Sequence, residues 1–150
     1  MKLRIASRDE LPQVIQMYAD DVLGQTRELY TVPLDPAYYT AFDVINANPN
    51  QELLVLVDQE DTIMGTMQIT YIQFLNNRGT KRALIESVRI HADYRGKGLG
   101  ELMFSLAVDR ARAQGATYLQ LTSDKRRNDA IRFYTKIGFE ASHEGFKMKV

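Results

Sequence analysis

A chain of 150 residues, 45% hydrophobic and 25% charged, is long enough for one well-filled core and has the composition of an ordinary soluble domain. It has no cysteine, which excludes disulfides, thiolate metal sites and an acyl-cysteine intermediate. Net charge is zero, yet residues 1–61 carry 4 basic and 11 acidic side chains and residues 62–150 carry 15 basic and 8 acidic, so the second half suits a polyanion and the first a cation.

Residues 2–6 read as a short strand. Ser7-Arg8-Asp9-Glu10 is a capping box that opens a helix to about residue 23, with Leu11, Val14, Ile15, Tyr18 and Val22 as its apolar stripe. Residues 24–33 show no period and read as a loop. Asp35-Pro36 caps a second helix to about residue 47. Residues 52–57 and 63–75 are strands, and Asn76-Asn77-Arg78-Gly79 is a hairpin turn into a strand ending at Ile90. A helix then runs from residue 99 and stops at Gly115, after Arg110 and Arg112. Residues 117–121 form a strand, expected to run parallel to the one before that helix. Residues 128–137 are a helix closed by Gly138, and residues 139–150 read as a final strand pair.

The order is β-α-α-β-β-β-α-β-α-β-β, an α+β fold with helices on a mixed sheet, expected as a single domain over residues 1–150. The first residues lack the apolar core of a signal peptide, and the longest aliphatic run, residues 53–57, is too short for a bilayer. A cytoplasmic protein without a membrane partner is therefore expected. No basic run interleaved with aromatics argues for nucleic acid. Neither His91 nor His143 has metal-ligand spacing, so no metal site is expected.

The stretch that carries chemistry is Arg95-Gly96-Lys97-Gly98-Leu99-Gly100, between the strand ending at Ile90 and the helix that follows. Strand, glycine-rich turn and helix together aim backbone N–H groups and a helix N-terminus at an anion, and Arg95 and Lys97 add charge. The spacing is neither that of a Walker A loop nor that of a dinucleotide fingerprint, in which Glu101 would have to be glycine. A pyrophosphate cradle is the reading with chemical content; an ordinary strand-to-helix loop is the plain alternative.

Downstream stands Asn128-Asp129-Ala130-Ile131-Arg132-Phe133-Tyr134-Thr135-Lys136-Ile137-Gly138-Phe139. With the cradle hexapeptide, it resembles the GCN5-related N-acetyltransferase (GNAT) family, whose cofactor loop is Gln/Arg-x-x-Gly-x-Gly/Ala and whose later motif has Asn, Ala, a Phe-Tyr pair and Gly-Phe. The resemblance implies the GNAT acyl-CoA N-acyltransferase fold and acetyl-CoA as cosubstrate. It implies that Arg95, Gly96, Lys97, Gly98, Leu99 and Gly100 bind the pyrophosphate. Val88 and Ile90 pair with the pantetheine arm, and the Val88 N–H polarises the thioester carbonyl. Asn128 bonds the pantetheine region, and Tyr134 protonates the departing thiolate. Tyr134 shares a helical face with Ala130, Phe133 and Ile137, which equally fits a core tyrosine.

Glu86 is the candidate general base. Strict alternation puts it with Leu84, Val88 and Ile90, where burial would raise its pKa towards the range an amine-deprotonating base needs. The alternatives are an ion pair with Arg82 or Lys81, or a bulge that turns Glu86 to solvent. Tyr30, Tyr38 and Tyr39 either line the acceptor pocket or belong to the core. The tail resembles the subgroup that contains aminoalkylphosphonate acetyltransferases, which implies a small primary amine as acceptor. The competing readings are a protein or peptide acetyltransferase and a non-catalytic acyl-CoA-binding module. A homodimer is compatible with the resemblance, though the sequence shows no interface.

Overall fold

Five consecutive aliphatic residues, Leu53 to Val57, have no polar side to show to water, so a strand containing them must be covered on both faces. In the computed structural model, which describes residues 1–21 and 24–150, all five are buried. They lie in β2 (Gln51–Val57), flanked by β1 (Lys2–Ile5) and β3 (Ile63–Gln73). Strands β4 (Lys81–Ile90) and β5 (Tyr118–Leu121) complete a sheet in the order β1-β2-β3-β4-β5, antiparallel from β1 through β4. The helices are α1 (Leu11–Ala19), α2 (Pro36–Ala47), α3 (Leu99–Ala113) and α4 (Asn128–Lys136). The chain divides into two compact units, residues 1–120 and 121–150.

In the first unit the two faces of β2 meet different helices. Leu53, Val55 and Val57 cluster with Leu11, Val14, Ile15 and Met17 of α1 and Phe42 of α2. Leu54 and Leu56 stand opposite Met67 and Gly65 of β3 and share the other face with them. There α3 comes so close that a Cβ on Gly65 would lie 3.3 Å from Met103 Sδ and 2.9 Å from Ile90 Cδ1 and the Arg89 carbonyl oxygen. Only glycine permits that approach.

The ends of the elements follow their sequence signals. The Glu10 carboxylate accepts from the Ser7 N–H at 2.7 Å, closing the capping box, although the first turn it caps (Arg8–Glu10) is a 3-10 turn. Helix α1 ends at Ala19, earlier than expected, where Asp20 and Asp21 oppose the negative end of its dipole. Val22 and Leu23 lie outside the described residues. Asp35 accepts from the Ala37 N–H at 2.8 Å, with Pro36 in the first helical position. Helix α3 closes in a Schellman motif: the Ala116 N–H reaches the Ala111 carbonyl at 2.9 Å, the Gly115 N–H reaches that of Arg112 at 2.9 Å, and Gly115 has φ 76°. The β3–β4 turn (Asn76–Gly79) is left-handed, with Asn77 at φ 49° and Arg78 at 60°.

The expected α+β class holds, with a correction at its end. None of residues 139–150 lies in a strand, and the second unit contributes α4 as its helix. The alternation Phe146-Lys147-Met148-Lys149-Val150 describes an edge strand only where a ladder and an apolar layer receive it. Here Phe146, Met148 and Val150 are all exposed.

Arginine forks help to fasten the first unit. Arg4 makes a fork to Glu10 (2.6 and 3.0 Å) and another to Asp61 (2.8 and 3.2 Å), tying β1 to the start of α1 and to the β2–β3 turn. Arg110 of α3 makes a fork to Glu52 of β2 (2.7 and 2.9 Å), and the Tyr71 hydroxyl donates to the same carboxylate at 2.9 Å. Burial, with Glu52 alongside, raises the Tyr71 pKa.

The Arg4 guanidinium, helped by the Ser7 N–H and opposed by burial, holds the Glu10 carboxyl below its ordinary 4.5. A depressed native pKa means the unfolded chain binds the proton more readily. The contribution to stability is therefore full above about 4.5 and is lost as pH falls through the native value. Glu10→Gln should flatten the fall in urea midpoint on acidification below that point. Glu52→Gln, which leaves the half-buried Arg110 cation without its counter-charge, should cost about 2–3 kcal/mol of unfolding free energy. Tyr71→Phe should cost about 1 kcal/mol in the same urea titration.

Candidate active site

The last ladder contact after β4 is the His91 N–H to the Met64 carbonyl at 2.9 Å. A 3-10 turn (Ala92–Tyr94) follows, capped by His91 Nδ1, which accepts from the Asp93 N–H at 3.4 Å. His91 is thus a capping residue. Arg95 is extended (φ −64°, ψ 152°), and Gly96 and Gly98 are both left-handed, with φ 74° and 75°. A Cβ on either glycine would meet nothing within 4 Å, so no protein packing excludes a side chain there. The backbone conformation calls for glycine, and the space in front of it stays open.

Gly98 is the N-cap of α3 and brings no side chain to it, so the first-turn N–H groups of Leu99 and Gly100 are left uncapped towards the loop. Fifteen residues of helix stand behind them with the positive end of the dipole at this point. The Arg95 Nε donates to the Ile90 carbonyl at 3.1 Å, and the Lys97 ammonium lies 5.3 Å from the Tyr94 ring centroid. Two cations, uncapped donors and open space on one turn fit a diphosphate.

Upstream of the cradle β4 carries a bulge. Glu86 stands opposite Gln68 and Arg89 opposite Thr66, so Ser87 and Val88 share the single partner Met67. Ser87 takes φ 54° to do so. The extra residue breaks the alternation: Glu86 shares a face with Arg89, and Ile90, opposite Gly65, shares one with Ile85.

This corrects the reading of Glu86. Its side chain is exposed and without an ion-pair partner among the described residues. The expected burial is what fails: a bulge follows Glu86 and its side chain faces solvent. The candidate ion-pair partners are engaged elsewhere, Lys81 on the Gln114 carbonyl at 3.0 Å and Arg82 over the Phe74 ring at 4.4 Å. Val88 and Ile90 are half-buried.

Sequence reasoning missed the polar group around the bulge. Arg89 donates to the Val88 carbonyl (2.8 Å) and to Asp21 (3.2 Å), and its guanidinium lies 5.8 Å from the Tyr18 ring centroid. Burial pushes the Tyr18 pKa up to about 12, against the opposing pull of Thr66, Arg89 and Ser87. Tyr18 sits at a helical spacing that reads as core, and only the bulge reveals its neighbours.

In the second unit Asn128 is exposed at the first position of α4. Asp124 shapes the turn before it, accepting from the Arg126 N–H at 2.9 Å, and Lys125 pairs with Glu144 at 2.8 Å. Tyr134 is half-buried, edge-on to Phe133 (5.5 Å) and Phe139 (5.9 Å). Its carbonyl accepts from the Phe139 N–H at 3.0 Å while the Gly138 N–H reaches Thr135 at 3.1 Å, a second Schellman motif, with Gly138 at φ 101°. The Tyr134–Phe139 contact is the apolar clasp that accompanies such an ending. His143 Nδ1 is bonded to the Ser142 hydroxyl at 2.8 Å.

Of the sequence-derived site residues, Val88, Ile90 and residues 95–100 come together at the end of β4 and the start of α3. Asn128 and Tyr134 share α4. Tyr38 is taken up structurally, accepting from the Leu29 N–H and donating to Glu28, and Tyr39 lies under Arg8. No helix among the described residues is long and apolar enough to cross a membrane.

Residues 16–139 match the sequence profile of the acetyltransferase (GNAT) family. The chain is 28% identical, over 93% of its length and 80% of the relative's, to an L-methionine sulfoximine/L-methionine sulfone acetyltransferase of Pseudomonas aeruginosa. It is 26% identical, over 85% of its length and 82% of the relative's, to an aminoalkylphosphonate N-acetyltransferase of Salmonella typhimurium. A crystal structure of a transcriptional regulator from Bacillus halodurans superposes with a TM-score of 0.94 at 44% identity, over 99% of each chain. With a family match spanning most of its length and the cradle geometry just described, the chain belongs to the GNAT acetyltransferase family.

Proposed function

We propose that this protein moves an acetyl group from acetyl-CoA directly to the primary amine of a small molecule, with both substrates bound at once. The observation that carries the reading is the cradle: two left-handed glycines with open space before them and an uncapped helix start. The small-molecule acceptors in the names of the two acetyltransferase relatives support the choice of substrate class. The family match from residue 16 to residue 139 supports treating residues 1–150 as one functional domain. The same reading puts the protein in the cytoplasm and leaves dimerisation to a sedimentation measurement.

Acetyl-CoA, when bound, supplies a thioester whose acyl carbon the amine attacks, forming the amide as the carbon–sulfur bond breaks. Residues 95–100 hold the pyrophosphate, and Ile90 and Asn128 line the pantetheine arm. The Val88 N–H donates to the acyl oxygen as charge develops there. The amine arrives protonated, with a pKa near 10, and its proton passes to Glu86. Because Glu86 is exposed, we assign it that transfer through water. Tyr134 donates its hydroxyl proton to the departing sulfur, and the second proton that the nitrogen sheds on becoming the amide restores the Tyr134 hydroxyl.

Purified protein screened with acetyl-CoA against amines, aminophosphonates and peptides, reading free thiol, tests the reading. Turnover on a small amine supports it. Turnover confined to peptides would move the protein to the protein-modifying class, and CoA binding with no turnover on any acceptor would leave a binding module. Initial-rate plots should intersect, because parallel lines would mean a covalent acyl-enzyme. Gly98→Ala puts a methyl group into the cradle at a left-handed position. It should weaken CoA binding about tenfold by calorimetry while costing about 1–2 kcal/mol of stability. Tyr134→Phe should lower kcat about 10²-fold with acetyl-CoA affinity kept, and an unchanged kcat removes the hydroxyl from the mechanism.

A further inference from the structure

The bulge in β4 creates a problem that one side chain solves. Ser87 and Val88 together face Met67, so the regular ladder is interrupted there. The Val88 carbonyl receives a hydrogen bond from the side chain of the next residue, Arg89, at 2.8 Å. That guanidinium is itself fixed. It donates to Asp21 at 3.2 Å and lies over the Tyr18 ring, and the Arg89 and Asp21 side chains are each only 13% exposed. Asp21 follows α1, so the pair also joins the end of that helix to the bulge.

We infer that Arg89, clamped by Asp21, is a positioning residue: by holding the Val88 carbonyl it restricts rotation at Val88 and thereby keeps the bulge aiming the Val88 N–H at the acyl oxygen. The inference rests on the acetyl transfer proposed above. Without the Arg89 donor the Val88 carbonyl loses that hydrogen bond. The backbone at Val88 is then freer to rotate within the bulge, while the register after it stays held by the His91 N–H on the Met64 carbonyl at 2.9 Å. The cradle at residues 95–100 lies beyond that hold, so cofactor binding and acyl transfer should separate.

Arg89→Met keeps the aliphatic stem and removes the donors. Expected are a kcat lower by about 10- to 100-fold, CoA affinity by calorimetry within about threefold of the parent, and a displaced Val88 amide resonance in the 15N–1H spectrum. Arg89→Lys, which can still reach the carbonyl, should recover part of kcat. Should Arg89→Met fail to fold, Asp21→Asn decides, with a smaller loss of kcat and the same retained CoA affinity. A parental kcat with an unmoved Val88 amide in either folded variant overturns the inference. A parent protein that binds no CoA instead sinks the proposed function, while the Val88 amide still reports whether Arg89 holds the bulge.

Discussion

The first unit is built around one surplus residue in β4. A regular strand there would carry Glu86, Val88 and Ile90 on one face and present an unbroken ladder to β3. The bulge breaks both rules at once, because two residues stand against Met67. It sends Ile90 to the face where Gly65 and Met103 leave a slot for it. The strand is thus delivered to the cradle with its last apolar side chain anchored. A bulge costs ladder bonds and a non-glycine residue at positive φ. It persists because buried partners on α1, the β3 glycine and the α3 methionine all fit the bulged register and none fits the regular one.

The cradle's rigidity is borrowed from the other end of its helix. Backbone donors bind an anion well only if they are held in place before it arrives. The N-terminus of α3 is uncapped by any side chain, so its position must come from elsewhere. Met103 packs against Gly65 one turn in, and Arg110 grips Glu52 two turns further on. The Gly115 Schellman motif then ends the helix cleanly. A fork between a half-buried arginine and a nearly buried carboxylate fixes direction as well as distance. A helix pinned in two places along its length cannot swing its free end.

What could be read in the sequence was whatever the backbone itself encodes. Gly96 and Gly98 announced a glycine-rich turn, Ser7 with Glu10 announced a helix start, Pro36 after Asp35 another, and Gly115 and Gly138 two helix ends; each is a local rule obeyed locally. The expected grouping of Glu86 with Val88 and Ile90 on one face failed because alternation assumes one residue per partner, and a bulge built on serine rather than glycine leaves no mark in the sequence. The Arg89–Asp21–Tyr18 group was invisible for a related reason. Its members are distant in the chain, and the register shift alone puts Arg89 on their face. The final strand pair failed on the opposite count: residues 146–150 have the alternation but no ladder to join, and period alone cannot supply a partner.

The motif on α4 holds in place the tyrosine proposed above as the proton donor. Tyr134 is three positions before the helix cap, and Gly138 and Phe139 are the two residues after it. In that arrangement one residue's carbonyl and ring are used together: the carbonyl takes the Phe139 N–H, and the ring rests edge-on against the Phe139 ring. Phe133 meets the ring as well. A phenol gripped by its apolar body has few rotamers left, so its hydroxyl is carried to a fixed point at little entropic cost. A proton donor needs that fixed position, since transfer falls off steeply once donor and acceptor leave hydrogen-bond reach. The Phe-Tyr and Gly-Phe pairs are therefore one device, in which the glycine turns the chain back so that the second phenylalanine can clasp the tyrosine.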